Sequence, residues 1–334
     1  MRRPLVTCAS LLVAAVAIGA CGGGSDAPDT RSAPMTSAAH AAVSDFPRPA
    51  GRDLAAMHEG MQQGLVLAPS VSVLVPGRNR YGFALFDAAR KQVGGAPVAV
   101  YVSKTNGSAV RGPFLARTES LAVKPQFQST TTNDDPQSAK SVYVVYLSFP
   151  RPGRYRISAV AQLDGRPVST SSFTAVVVAK GAPGTPPVVG ARAPKVSTPT
   201  LSDVAGDAAR ITTRVPPAKG LISTDLADVY GKKPVALLFA TPALCQSRVC
   251  GPVEDILEEV RADDTTGDVA YIANEIYRDN RPDQGLRPQP AAYRIPTEPW
   301  LFVLDRHGRV VERIEGAFSV RELEAAVARA RTAR

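Results

Sequence analysis

Val235-Ala-Leu-Leu-Phe-Ala240, then Thr241-Pro-Ala-Leu-Cys245-Gln-Ser-Arg-Val-Cys250-Gly-Pro-Val253, holds the most informative residues of this 334-residue chain. Six uninterrupted apolar residues bounded by Lys232-Lys-Pro234 and Thr241-Pro242 predict a buried strand. Val253, Ile256, Leu257 and Val260 then fall on one stripe, which predicts a helix over Val249–Arg261. Two cysteines sit at the join. On a regular helix, positions five apart have Cα atoms about 8 to 9 Å apart, beyond the roughly 7 Å a disulfide tolerates. If the pair bonds, Gln246–Val249 is therefore not helical and the helix starts near Cys250, with Pro252 suited to its first turn.

Working outward, Asp268–Ala273 predicts a second core strand, Ile295–Leu304 a third and Arg309–Ile314 a fourth after the turn at His307-Gly308. Ser319 predicts the cap of a last amphipathic helix over 320–331, and Thr224–Gly231 reads as a short helical turn. In this order, and in the passages Leu238-Phe-Ala-Thr-Pro-Ala-Leu-Cys245 and Thr297-Glu-Pro-Trp-Leu-Phe-Val-Leu-Asp305, residues 222–331 resemble the thioredoxin superfamily. The resemblance implies an α/β thioredoxin-like three-layer domain that exchanges disulfides with exported protein thiols. It makes Cys245 the attacking and Cys250 the resolving cysteine, puts Pro299 at a cis position, and has Glu298 shape the substrate groove. Arg248 adds a positive charge beside the pair, in the region of substrate contact, and with a helix N-terminus favours the thiolate.

The motif departs from that family, which carries Cys-x-x-Cys, so the assignment between the two cysteines is open. Whether the chain is an enzyme is open as well. The alternative is a non-catalytic binding or scaffold protein in which Cys245–Cys250 is a permanent structural bond. No cofactor is expected. Zinc would need two further ligands, and the histidines, His40, His58 and His307, have no metal-ligand spacing to the pair. A copper ligand role for His307 is disfavoured by its place in a hairpin turn.

Between about Val66 and Val178, short apolar or alternating runs separated by turn residues indicate an all-β domain. The runs are 71–75, 80–86, 96–102, 141–149, 153–160 and 171–178. In Ser141-Val-Tyr-Val-Val-Tyr-Leu-Ser-Phe149, both alternating faces are apolar, which predicts a central strand buried on both sides. Pro150-Arg-Pro-Gly-Arg-Tyr155 resembles a passage of extracytoplasmic immunoglobulin-like domains, so an immunoglobulin-like sandwich is expected over 61–180. Residues 124–140 read as a polar surface loop.

Met1-Arg-Arg3 followed by an apolar stretch to Ala20 is an export signal. Ile18-Gly-Ala-Cys21 resembles the lipobox of bacterial lipoproteins, which implies acylation of Cys21 and anchoring at the outer face of the cell membrane. The expected organisation is a signal peptide over 1–20, a flexible tether over 21–60, the sandwich over 61–180, a Pro-rich linker over 181–205 and the thioredoxin-like domain over 206–334. The formal charge of +9 is concentrated between residues 60 and 180, where 14 basic side chains face 5 acidic ones. No basic helix or aromatic-interleaved run accompanies it, so nucleic acid is not an expected partner.

Overall fold

The computed structural model describes residues 41–333. Its first half contains nine strands: β1 (Gln62–Pro69), β2 (Gly77–Phe86), β3 (Gln92–Val93), β4 (Val98–Lys104), β5 (Arg111–Ser120), β6 (Ser141–Phe149), β7 (Gly153–Leu163), β8 (Arg166–Thr170) and β9 (Phe173–Val177). Seven of them close into a ring in the order β1-β8-β7-β4-β5-β6-β2, because β1 pairs with both β8 and β2. This barrel corrects the expected immunoglobulin-like sandwich. A sandwich leaves edge strands, whereas here the bifurcated pairing of β1 spends both of its edges. Tyr81, Phe83 and Leu85 of β2 and Tyr143, Val145 and Leu147 of β6 fill the interior. A short helix α1 (Leu54–His58) covers the outside of β4 and β7 through Leu54 and Met57.

The second sheet has β10 (Val235–Ala240) beside β11 (Ala270–Glu275) in parallel and beside β12 (Trp300–Leu304) antiparallel, with β13 (Val310–Glu315) completing the order β11-β10-β12-β13. Two long helices, α4 (Cys250–Asp263) and α6 (Val320–Thr332), pack on one face through Val253, Ile256, Leu257, Leu323 and Val327. The other face, with Leu237, Phe239, Trp300 and Phe302, is closed mainly by irregular chain. Three short helices complete the chain: α2 (Thr130–Asn133), α3 (Leu226–Val229) and α5 (Pro288–Tyr293). α3 and α5 reach that face through Leu226, Val229 and Tyr293.

The expected α/β thioredoxin-like three-layer domain is therefore corrected as well: the described chain is mainly β, and the second sheet has a helical layer on one face only. The strand, cysteine and helix passage that suggested the family is a local pattern and does not specify what covers the sheet's far side. Among the described residues, no helix is long and apolar enough to cross a membrane.

Barrel and second sheet share a core. β6 turns Val142 and Val144 away from the barrel interior into the cluster formed by β10, α4 and α6, which is why both of its faces are apolar. Charge completes the junction. Arg80 of β2 donates two hydrogen bonds to Glu322 of α6, at 2.9 and 2.8 Å, and Arg117 of β5 donates a third at 2.8 Å. Glu119 of β5 accepts from Ser319 at 2.7 Å and pairs with Arg117 and Arg321. Burial alone would raise the Glu322 carboxyl, but the guanidinium of Arg80 and that of Arg117 hold it below the usual range. Gly316, with φ +80°, lies at a close approach of the two halves: a Cβ there would come within 2.6 Å of Ser70 Cβ.

Candidate functional site

The turn after β10 delivers Cys245, and α4 begins at Cys250. The two form a disulfide with Cα atoms 5.9 Å apart, within bonding range and closer than a regular helix would allow. Arg248 makes this possible by adopting a left-handed conformation, φ +60°, which folds the intervening residues back. The sulfurs are not equivalent. Cys250 is wholly buried, whereas Cys245 is 7% exposed and borders a cleft of 180 Å³. Ser247 Oγ lies 3.2 Å from the Cys245 sulfur.

One wall of that cleft comes from the barrel. Residues 124–140, between β5 and β6, are laid along α4 and held at several points. Lys124 N donates to Glu259 at 2.8 Å, and Ser129 donates to Asp255 from both N and Oγ at 3.2 Å. Ala139 N donates to the Arg248 carbonyl at 3.1 Å, and Arg248 pairs with Asp135 at 3.2 Å. Gly251 is needed where the loop crosses the helix, since a Cβ there would lie 2.6 Å from Thr132 Oγ1. Beneath the loop, Arg214 pairs with Asp255 at 2.9 Å. The segment read as a surface loop is thus a cap over the disulfide. Asp255 and Glu259, acids one turn apart on α4, are among its anchors.

Burial pushes the Asp255 carboxyl up, with Arg214 and Ser129 opposing. Glu254, one turn after Cys250, is fully buried and raised to about 8 by desolvation and then by Glu275. Desolvation also raises Glu275, which accepts from Thr213 N and Oγ1 at 3.0 and 2.8 Å.

Of the other residues singled out from the sequence, Pro299 follows a cis Glu298–Pro299 peptide bond and is buried, its carbonyl accepting from Gly316 N at 2.9 Å. Glu298 is half-buried and desolvation raises its carboxyl. Glu298 and Arg248 line one groove of 1010 Å³ between the barrel and the second sheet, which also takes in Gln246, Ser247 and Val249. His307 is exposed in its turn. Among the described residues there is no cluster of metal-ligating side chains. Cys21 lies outside the described residues.

No protein-family model matches the chain, and no curated protein does. Among solved structures, the human F-spondin reeler domain is similar at 9% identity, over 35% of this chain and 91% of that one, with a TM-score of 0.20. The Lin-41 filamin domain is similar at 15% identity, over 35% of this chain and 93% of that one, with a TM-score of 0.18. Similarity at that level carries nothing about function. The thioredoxin family resemblance is corrected by the architecture itself, which is mainly β with a closed seven-stranded barrel.

Proposed function

We propose that this chain exchanges disulfides with exported polypeptides through Cys245 and Cys250, at the outer face of a cell membrane to which an acyl group on Cys21 tethers it. The observation that carries the reading is the asymmetry of the pair, with Cys245 bordering a small cleft under the cap and Cys250 wholly buried at the first residue of a 14-residue helix. A partner thiolate attacks the Cys245 sulfur, the Cys245–Cys250 bond breaks, and Cys250 leaves as a thiolate stabilised by the helix N-terminus. A second partner thiolate then attacks the partner's own sulfur in the mixed disulfide and releases Cys245. The partner leaves with a disulfide and the chain keeps two electrons as two thiols. Every step runs in reverse when the partner is the stronger oxidant.

A second reading is favoured by the cap. Residues 124–140 limit the approach to Cys245, as they would if the bond were a permanent clasp between the β10 turn and α4. By chain entropy, such a short loop contributes about 2 kcal/mol. Trapping separates the two. A Cys250→Ser variant offered an oxidised peptide should hold it as a stable mixed disulfide on Cys245, and the Cys245→Ser variant should hold far less. Failure of both to trap, with a wild-type bond that resists dithiothreitol until the protein unfolds, would establish the clasp.

A further inference from the structure

The 1010 Å³ groove has a wall that disulfide exchange alone does not require. Phe86 and Val142 from the barrel give it apolar lining, and Arg90, Lys91 and Lys140 line it too. All three cations are exposed, and none has an ion-pair partner among the described residues. Two carboxylates line the same space. Glu315 is already engaged by Ser72, Val73 N and Thr297, at 2.6, 3.1 and 2.6 Å. That leaves Glu298 against three free cations, so the groove favours an anionic occupant.

Its polar groups indicate what kind. Gln92, Gln137 and Gln246 belong to the lining; Gln92 Nε2 already donates to the Ser141 carbonyl at 3.0 Å, and the exposed amides of Gln137 and Gln246 offer donors and acceptors that a polypeptide can meet and an acyl chain cannot. At one end the lining reaches Ser247, whose Oγ is 3.2 Å from the Cys245 sulfur.

We infer that the groove seats an extended segment of the exchange partner that carries carboxylates beside its cysteine, so that the barrel selects which exported polypeptides reach the disulfide. The inference rests on the exchange reading, but its test does not use sulfur chemistry. Two labelled peptides of equal length and equal apolar content, one rich in glutamate and one in lysine, each with serine in place of cysteine, are titrated with the full chain in neutral detergent, and anisotropy is read. The acidic peptide should bind about tenfold more tightly at low salt, and the preference should collapse near 0.5 M salt. It should also disappear in the double variant Lys91→Glu, Lys140→Glu. Equal binding of the two peptides, or a preference the double variant keeps, overturns the inference. So does binding to phosphatidylglycerol vesicles, abolished by that variant, with no binding of either peptide. A chain that binds the acidic peptide and fails to trap a mixed disulfide would refute the exchange reading and leave the groove's selectivity standing.

Discussion

Replacing Asp255 with alanine attacks the cap at its most buried contact. Asp255 is 1% exposed and accepts from Arg214, itself 5% exposed, and from Ser129 N and Oγ. Without the carboxylate, Arg214 remains buried as a cation with only the Pro216 and Phe127 carbonyls as acceptors. Losing one member of a buried pair costs about 3–5 kcal/mol. Much of that penalty is relieved when residues 124–140 lift from α4 and water reaches the guanidinium. If 2 to 3 kcal/mol, very roughly, transfers to the closed-to-open equilibrium, the disulfide becomes accessible about 30- to 150-fold more often. The assay is the rate of reduction by dithiothreitol in native buffer, followed by mass, with a urea melt for global stability. Glu322→Ala is the control. It removes a buried carboxylate of similar weight at the α6 junction, away from the cap. Reduction of Asp255→Ala at the wild-type rate, or equal acceleration by Glu322→Ala, would refute the capping argument.

Three further outcomes are expected. Glu254 has its carboxyl raised from 4.5 to about 8, so between those values the folded state keeps a proton that the unfolded state releases. Stability should therefore fall as pH rises through that window, and Glu254→Gln should be the more stable protein at pH 8 by a few kcal/mol, roughly, in urea melts. Glu322 behaves oppositely. Its lowered carboxyl contributes stability above its unfolded value that is lost as pH falls through the folded one, and Arg80→Met should weaken that acid sensitivity, with Arg117 still paired to Glu322, while lowering stability by about 3 kcal/mol at neutral pH. Gly316→Ala should cost about 1–3 kcal/mol in thermal unfolding, because positive φ and the 2.6 Å approach to Ser70 both oppose a Cβ; a neutral result would mean that the two halves are less tightly apposed.

Much of the local structure could be read from the residues. Val235–Ala240 is the strand its apolar run indicated, and α4 starts at Cys250, as bonding of the two cysteines requires. Ser141–Phe149 is buried on both faces because one faces the barrel interior and the other faces α4 and α6. Long-range closure left no such trace. β5 carries a cis Gly112–Pro113 bond, and its Arg117 and Glu119 find partners about two hundred positions away, on α6 and its N-cap. The half-polar run of β5 shows no apolar alternation, and it is absent from the strands expected from the sequence. The parallel pairing of β1 with β8, on which the ring depends, joins segments about a hundred residues apart, and periodicity carries no information about it. Misreading the far face of the second sheet had the same origin. Its cover is mainly irregular chain whose few apolar residues, such as Ala193, Val196 and Ile295, show no helical or strand repeat. The cap left little trace because three of its anchors are backbone donors, at Lys124, Ser129 and Ala139, which every sequence supplies, and its side-chain anchors, Ser129 and Asp135, are residue types common in any polar loop.

Competitive alkylation of the reduced, folded chain bears most directly on the claim that one sulfur is presented and the other sealed. With limiting iodoacetamide and peptide mass spectrometry, Cys245 should be modified at least about tenfold faster than Cys250. Equal labelling of the two cysteines, or faster labelling of Cys250, would contradict the account.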